Sequence, residues 1–333
     1  MSYNDLILKK AKALYTLDEY ELIPISGHEG GRNDVFECRR DGRAKYILRI
    51  SATGDRTHED YLAETEFVRF LAKNHAPVAD VIPSVNDRLC EPVSLENKEC
   101  FVSLFEYAPG MLISDNGYRY RDGAPLSEYF YNTGKALGCI HRLSKLYTPV
   151  HRRCEFSDKY NMNYIGSLMG EGYDELKEAL TRKLALFDSL DRNKENYGLV
   201  HFDFSDGNYH IDMSTGRITV FDLDNCMYCH YMFDLANLWV HGIGWCMGER
   251  DIEKRQAFMN EYFDTIVAGY RSETDISAED RDLLPLFIDM VLTENIVDEF
   301  ECSAREGERP DYEDIAAAAN CLINNIPYAG YFV

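Results

Sequence analysis

The sequence predicts an α+β fold with two lobes: a small N-terminal lobe with an antiparallel β-sheet plus a helix, and a larger, mostly helical C-terminal lobe. Strand-like runs dominate the first hundred residues, whereas apolar residues recur at helical spacing after Leu126. The Pro109-Gly110 turn between these regions predicts domains at 1–107 and 108–333. A length of 333 residues, of which 45% are hydrophobic, is enough for both cores.

The N-terminal lobe begins with strand-like runs at 20–25, 34–38 and 45–50. An Asp-Gly pair at 41–42, between the second and third runs, is typical of a hairpin turn. A glycine-containing loop joins the first two runs, and glycines let backbone amides come close to a phosphate. A plain hairpin loop would have the same composition. The candidate nucleotide-binding glycines of this loop are Gly30 and Gly31.

A helix and a further strand complete the lobe. Apolar spacing predicts a helix over 58–74, and the apolar run 99–107 predicts a strand that stops at the Pro-Gly turn. The end of that strand is where a hinge between lobes belongs, and a hinge offers backbone N–H and C=O groups to an adenine edge. Glu106 and Tyr107 are the candidates by position, although a core strand ending in a turn would have the same sequence.

The C-terminal lobe consists mainly of predicted helices, at 129–143, 173–190, 234–247, 251–271, 279–302 and 311–325. Two strand-like runs interrupt them, at 209–211 and 217–221, with a Ser-Thr-Gly turn between them. Such a hairpin would bring the residue before its first strand and the residue after its second strand to the same end.

That hairpin end carries the most informative motif of the chain. His201 and Asp203 begin an H-x-D-x-x-x-x-N loop that ends at Asn208, and the second strand is followed by Asp222. A carboxylate can accept the proton of an attacking hydroxyl, while an amide and a carboxylate suit Mg²⁺, a hard cation. We therefore predict Asp203 as the base of a kinase-like site, and Asn208 and Asp222 as the Mg²⁺ ligands. The structural alternative is that Asp203 and Asn208 are turn residues and that Asp222 caps the next element.

This segment resembles the aminoglycoside phosphotransferase and choline kinase superfamily, which has a protein-kinase-like fold. The loop is similar to that family's H-G-D-x-x-x-x-N sequence, residues 231–238 to its Y-D-L-A motif, and residues 263–271 to its F-x-x-G-Y-R helix. The resemblance implies ATP as phosphate donor, with GTP not excluded, and Mg²⁺ as the metal. Phe202 departs from the family's usual Gly, and we expect a negative φ there to accommodate the side chain.

The resemblance extends to the family's G-x-x-N-x-V-[FY] loop, which implies that Asn33 binds the nucleotide together with Gly30 and Gly31. It also implies a cation at the nucleotide phosphates. Arg49 stands where members of this superfamily place a lysine or an arginine, which needs an acidic partner. Matching the helix at 58–74 to the family helix makes Glu64 that partner, with Glu66 as the competitor. Lys45 lies on the same strand face and is the alternative cation.

Composition excludes several classes of function. The formal net charge is −22 and no basic stripe is visible, which argues against a nucleic-acid partner. No apolar run approaches the roughly 18–20 residues that span a bilayer, and no signal-peptide pattern opens the chain, so we expect a cytoplasmic protein without a membrane partner. The ten scattered cysteines are expected to be reduced, including the lone C-x-x-C at 226–229.

The length of the segment after the candidate metal-binding aspartate bears on the acceptor. Only 223–233 separates Asp222 from Asp234, and no A-P-E motif comes after it, which leaves no room for a protein-kinase activation loop. We expect a small-molecule hydroxyl acceptor, such as an amino alcohol, an aminoglycoside, or a choline-like or homoserine-like compound. An acidic stretch at 293–301 would favour a cationic acceptor if it faces the pocket, although a solvated helix face is the ordinary interpretation.

Three other functions remain open at this stage. They are a protein Ser/Thr kinase of the same superfamily, a non-catalytic nucleotide-binding pseudoenzyme, and a metal-dependent hydrolase that would use His201 and His210 with nearby aspartates. The role of Asp224 is also open between a second metal ligand and a hydrogen-bonding residue of the loop. The sequence does not define an oligomeric state.

Overall fold

The computed structural model describes residues 3–25, 33–52, 54, 56–95 and 98–328. Within them, the N-terminal lobe contains an antiparallel sheet of β1 (Glu21–Ile25), β2 (Asn33–Arg40), β3 (Arg43–Ala52), β4 (Val81–Ile82), β5 (Glu91–Leu95) and β6 (Lys98–Glu106). The strand order is β1-β2-β3-β6-β4, and β5 also pairs with β6. The hairpin predicted at the Asp-Gly turn is confirmed, with Arg40 opposite Arg43.

Two helices accompany the sheet. Helix α1 (Tyr3–Tyr15) was not predicted, and its buried residues pack on the sheet, where the Tyr15 hydroxyl donates to the Val102 carbonyl at 2.9 Å. Helix α2 (His58–Lys73) confirms the predicted helix at 58–74. It begins with a capping box in which Thr57 and Asp60 satisfy each other's backbone amides.

The C-terminal lobe is mostly helical, as predicted. Its helices are α3 (Leu126–Ser144), α4 (Phe156–Lys159), α5 (Met162–Met169), α6 (Asp174–Asp188), α7 (Met232–Gly242), α8 (Ile252–Arg271), α9 (Ala278–Asp282), α10 (Leu284–Glu306) and α11 (Tyr312–Asn324). The single helix predicted at 279–302 is wrong in one respect, because it is divided at Leu283 into α9 and α10. The division precedes Pro285, which lies in the first turn of α10, where its missing amide hydrogen costs nothing.

Helices α3 and α8 pack against each other through glycines. A Cβ atom added to Gly134 would lie 1.9 Å from the Ile266 carbonyl oxygen, and one added to Gly269 would lie 1.9 Å from that of Tyr131. These distances leave no room for a methyl group on either side. The two backbones therefore approach more closely than any other residue type would allow.

Two short ladders hold the segment that carries the predicted site. Strands β8 (Tyr209–Asp212) and β9 (Arg217–Val220) form the predicted hairpin. Strands β7 (Tyr197–Val200) and β10 (Met227–His230) form a second antiparallel ladder, which was not predicted. The chain thus leaves β7 for the H-x-D loop and returns along β10, so both ends of the segment are tied together.

The α+β class and two-lobed architecture are confirmed. The sheet ends with β6 at Glu106, and the boundary after residue 107 stays a prediction. The ten cysteines are free thiols. In the part of the chain that the structure describes, no helix is both long and apolar enough to cross a membrane.

Candidate active site

The H-x-D loop and the β8–β9 hairpin bring the predicted base and metal ligands together. The Asn208 side chain donates from Nδ2 to the Asp203 carbonyl oxygen at 2.8 Å. The amide of Phe221 donates to the Asn208 carbonyl oxygen at 2.9 Å, which places the next residue, Asp222, beside Asn208. The three residues therefore lie at one end of the hairpin.

Asp234 binds the backbone at the start of this loop. Its buried carboxylate accepts from the amide of His201 at 2.9 Å and from the amide of Phe202 at 2.8 Å, and His141 Nε2 lies 3.0 Å away. Hydrogen bonds from two successive amides fix the backbone immediately before Asp203. Sequence reasoning assigned no role to Asp234, and the resemblance to the Y-D-L-A motif was the only available signal.

The expected negative φ at Phe202 is wrong, because the structure has φ +75°. A side chain in this left-handed region costs roughly 1–2 kcal/mol. The ring of Phe202 is buried and stacks on Phe233, with centroids 4.5 Å apart and planes 4° from parallel. The bonds from both amides to Asp234, together with this stacking, hold a conformation that glycine would adopt without strain.

The environment of Asp203 suits a proton acceptor. Burial raises the pKa of its carboxyl group, and electrostatic interactions with His201 and His241 and a hydrogen bond with Asn208 oppose that rise. A higher pKa means a more basic carboxylate. Asp203 is therefore a better acceptor of a hydroxyl proton than an exposed aspartate would be.

Asp222 lies in a strongly negative part of the cleft. Desolvation by the surrounding protein, followed by the charge of Asp224, raises the pKa of Asp222 to about 8, although Arg49 opposes the rise. Glu64 and Asp203 add further negative charge. About half of the Asp222 side chain, 48%, nevertheless faces open space, so a cation could reach it.

This donor set fits a hard divalent cation. Asn208 and Asp222 supply amide and carboxylate oxygens, and the excess of negative charge around Asp222 is what a bound cation would offset. Among the described residues, no group of three or more His, Cys, Asp and Glu side chains is arranged to hold a metal by itself. A metal here would therefore take its remaining ligands from phosphate and water.

The contacts of the two histidines near the site weigh against a metal-dependent hydrolase. His201 Nε2 lies 3.1 Å from the Phe221 carbonyl oxygen, and His210 Nδ1 lies 2.7 Å from that of Ala108. Each histidine thus fixes a backbone segment with one ring nitrogen. Neither belongs to a metal-binding cluster in the described ranges.

Arg49 pairs with Glu64. The two buried side chains form a bidentate ion pair, with Nη–Oε distances of 2.8 and 2.6 Å. Arg49 Nη1 also lies 3.8 Å from Asp222 Oδ1, so the pair borders the candidate metal site. Glu66, the competitor, instead lies 2.8 Å from His151 Nδ1. Lys45 is exposed on the surface of β3.

Asp224 bridges the two lobes. Its carboxylate lies 3.2 Å from Arg56 Nη1 and accepts from Asn33 Nδ2 at 3.1 Å, while its carbonyl oxygen accepts from Arg153 at 3.1 Å. Asn33 therefore contacts Asp224 through its side chain. Gly30 and Gly31, the other two candidates in that loop, lie outside the described residues.

At the predicted hinge, the amides of both candidate residues are already hydrogen-bonded within the protein. Glu106 N–H donates to Asp80 O at 2.8 Å, and Tyr107 N–H donates to Lys45 O at 3.0 Å. Neither amide is free to donate to an adenine edge. The next amide, that of Ala108, donates to no backbone carbonyl of the described residues.

The acidic stretch at 293–301 is not simply a solvated helix face. Glu294 is half-buried on α10, and burial, followed by the charges of Asp298 and Asp203, raises its pKa to about 8. Glu294 is thus close enough to the predicted base for their charges to interact. Glu301 contributes differently, because Lys159 and Tyr164 bind its carboxylate at 3.1 and 2.6 Å.

The two-lobed fold, with two aspartates and an asparagine together at one end of the β8–β9 hairpin, has the architecture of a kinase-like phosphotransferase. Residues 24–274 match the family model of the phosphotransferase enzyme family, APH, and the chain belongs to that family. The superfamily and the enzyme class predicted from the sequence are confirmed.

Relatives of this chain include small-molecule kinases. Amicoumacin kinase of Bacillus subtilis (strain 168) is 26% identical over 290 residues, which cover 86% of this chain and 82% of the relative. Among solved structures, amicoumacin kinase hAmiN, in complex with AMP-PNP, Ca²⁺ and Ami, has a TM-score of 0.83 at 20% identity, with 98% of this chain and 95% of that one covered. A microcompartment-associated aminopropanol kinase has a TM-score of 0.70 at 19% identity, with 96% and 94% covered. The structural likenesses show the shared fold.

Proposed function

We propose that this chain transfers the γ-phosphate of ATP to a hydroxyl group of a small, amine-bearing molecule. The observation that supports this most directly is the position of Asp203, which lies beside the Asn208–Asp222 pair and within electrostatic reach of Glu294. The nucleotide phosphates, Mg²⁺ and the acceptor hydroxyl would then all lie close to Asp203. GTP is the alternative donor.

In the proposed reaction, the acceptor hydroxyl gives its proton to the Asp203 carboxylate as its oxygen attacks the γ-phosphorus. Asn208 and Asp222 would hold Mg²⁺, which supplies charge neutralisation at the phosphates. Arg49, oriented by Glu64, would place its guanidinium at the α- and β-phosphates. Ala108 is the proposed hinge donor to the adenine, in place of the amides of Glu106 and Tyr107.

Two observations support a small acceptor. The segment between Asp222 and Asp234 is filled by a 3₁₀ turn (Leu223–Asn225) and β10, so it has no length for an activation loop. The relatives are named for amicoumacin and aminopropanol, which are small molecules. A protein substrate would need another docking surface.

The charge around Asp203 favours a cationic acceptor. Glu294 is near the base, and Asp298 adds negative charge from one turn further along α10. An ammonium group placed beside Glu294 would stabilise its ionised form, and it would also hold the acceptor against Asp203. This supports an amino alcohol or an aminoglycoside over a neutral polyol.

The proposal is tested by ADP release over an acceptor panel with ATP and GTP in parallel. Each amine is paired with its neutral analogue, for example 1-amino-2-propanol with 1,2-propanediol. We expect turnover only with compounds that carry both a hydroxyl and an amine. Glu294→Gln should raise the KM of amine acceptors more than it lowers kcat. Equal turnover of the neutral partners would contradict the amine assignment.

The role of Asp203 has its own test. Asp203→Asn should keep the increase in melting temperature that Mg·ATP produces, since Asn208 and Asp222 remain. Turnover should fall by roughly 10²–10⁴-fold, because the proton acceptor is lost. Differential scanning fluorimetry and ADP release measure the two effects. Wild-type turnover in Asp203→Asn would exclude Asp203 as the base.

A further inference from the structure

A cavity lies beside the H-x-D loop. We call it the aromatic cavity; it is lined by Asp206 and by the rings of Tyr129, Phe130, Tyr209, Trp245 and Tyr262. The rings pack edge to face, with the Phe130 centroid 4.7 Å from that of Tyr262 and 5.5 Å from that of Trp245. The lining residues that are buried are Tyr129, Phe130, Tyr209 and Tyr262. They belong to the core of the C-terminal lobe.

Asp206 is the acidic residue of this wall, and it is half-buried. Within the described ranges, no side chain of another residue forms a hydrogen bond or ion pair with its carboxylate. Tyr129 Oη and Tyr209 Oη lie 2.6 Å apart and share one hydrogen bond, and Tyr262 Oη donates to the Leu238 carbonyl oxygen at 2.9 Å. Its electrostatic partner is His241, whose exposed side chain also lines the cavity. A half-buried carboxylate among aromatic rings would be stabilised further by a bound cation.

The size and surface of the cavity suit a small cation. About 10 Å³ is available to the centre of a water-sized group, which is room for roughly one such group. A primary ammonium group has about that size. The face of an aromatic ring attracts a cation, and Trp is the best side chain for this interaction. The carboxylate supplies the opposite charge.

The cavity also lies near the reacting centre. Asp206 is three residues beyond Asp203 on the same loop, and the exposed side chain of His241 interacts electrostatically with both carboxylates. A molecule that reaches Asp203 with its hydroxyl could therefore reach the aromatic cavity with another group. Glu294 lies on α10, whereas the aromatic cavity is lined from α3, α7, the 3₁₀ turn Ile243–Cys246, α8, β8 and the loop itself.

We infer that Asp206 and the aromatic cavity form a second cation subsite, which binds a primary ammonium group of the acceptor. This inference rests on the proposed function in one respect, that the occupant belongs to the acceptor. An acceptor that fills both subsites would carry two amines, one at Glu294 and one at Asp206. Such a molecule would be held at two points around the hydroxyl that Asp203 deprotonates.

The test uses the fluorescence of Trp245, because a cation bound against an indole changes its emission. The chain has two tryptophans, so Trp239→Phe isolates Trp245. The full-length variant is titrated with ethylammonium chloride, with sodium chloride and ethanol as the charge and size controls. We expect a saturable change with ethylammonium alone. Adding Asp206→Asn, which keeps the shape but removes the charge, should weaken this binding by at least about tenfold.

Glu294→Gln in the same Trp239→Phe background is the matched control, since it removes a carboxylate near Asp203 that does not line the aromatic cavity. It should leave the ethylammonium titration unchanged. If Trp239→Phe lowers the melting temperature strongly, the ethylammonium-dependent shift in melting temperature is instead compared with and without Asp206→Asn in a Glu294→Gln background, so that the proposed amine site at Glu294 does not contribute. That shift should be smaller in Asp206→Asn.

A titration that does not respond to ethylammonium, that responds equally to sodium chloride, or that survives Asp206→Asn would overturn the inference. These results are independent of turnover. Saturable, Asp206-dependent binding together with no ADP release from any acceptor would contradict the proposed function and leave the subsite standing. ADP release without Asp206-dependent binding would do the reverse.

Discussion

Two residues of the candidate site have backbone angles that side chains rarely adopt. Phe202 has φ +75° and Asp222 has φ +59°. Backbone strain of this kind costs about 1–3 kcal/mol per residue and persists only where surrounding contacts determine the conformation. At Phe202 these contacts are the Asp234 carboxylate and the Phe233 ring. The strain is thus located where the orientation of Asp203 and the candidate metal ligands depends on it.

We predict an inverted order of stability at Phe202. Both Phe202→Ala and Phe202→Gly lose the buried ring, which costs roughly 3–5 kcal/mol. Gly should nevertheless be the more stable of the two by about 1 kcal/mol, because it adopts a positive φ without strain. Urea unfolding of both variants measures the difference.

Phe204 provides the control for this comparison. It is buried in the same loop, and its φ is not positive. There the usual order should hold, with the alanine variant more stable than the glycine variant. The same order at both positions would contradict the role assigned to backbone strain at Phe202.

The close contact of α3 and α8 illustrates what determines the geometry of a single pair of elements. Gly134 and Gly269 each face a backbone carbonyl of the opposite helix, and a Cβ atom at either would clash with it. The clash is with backbone, which cannot rotate away as a flexible side chain can. The spacing of these helices matters for function because α3 supplies two rings of the aromatic cavity and α8 supplies another.

Gly134→Ala should therefore destabilise the protein, by about 1–3 kcal/mol, through forced separation of the helices. Gly166 offers a matched control, because it lies within α5 and a Cβ atom added to it would meet no other atom within 4 Å. Gly166→Ala should be neutral or stabilising by about 0.5–1 kcal/mol, owing to lower backbone entropy in the unfolded chain. The urea unfolding midpoints of the two variants measure this difference in stability. Equal changes in both variants would contradict the proposed role of close packing at Gly134.

At the scale of the whole molecule, charged residues connect the lobes across the cleft. Arg56 and Asn33 from the N-terminal lobe both contact Asp224, and Arg49 approaches Asp222. Desolvation by the surrounding protein, together with the negative charge of neighbouring carboxylates, raises the pKa of Asp222 and of Glu294 to about 8 each. Global stability should therefore depend on pH in a range where ordinary carboxylates have finished titrating.

For Glu294 the direction of this dependence is set by the raised pKa. Between the ordinary value of 4.5 and the folded value of about 8, the folded protein retains a proton that the unfolded chain releases. The resulting stabilisation is fully present below pH 4.5 and is lost as the pH rises through about 8. Glu294→Gln removes this titration. Between pH 5.5 and 8.5, wild type should thus lose more stability than Glu294→Gln, as measured by urea midpoints at each pH; a parallel decline would show that Glu294 is not responsible.

Much of the architecture was predictable because local patterns carried it. Strand periodicity with an Asp-Gly turn predicted the β2–β3 hairpin, and apolar spacing predicted α2, α3 and α8. Helix α1 was missed, because its buried stripe of Ile7, Ala11 and Tyr15 is short and depends on a sheet that lies elsewhere in the chain. The β7–β10 ladder was missed for a related reason: its strands are four residues long and pair across a gap in sequence.

The sequence alone determined that Asp203, Asn208 and Asp222 lie together, because a hairpin brings the residues before its first strand and after its second strand to the same end. Only the tertiary structure decided which partners these residues have. Glu64 rather than Glu66 meets Arg49, Asp234 holds a loop that carries phenylalanine at a left-handed position, and Glu294 approaches Asp203 from nearly a hundred residues away. The physical reason is that spacing along one strand or hairpin defines local neighbours, whereas contacts between distant segments depend on how helices and sheet pack.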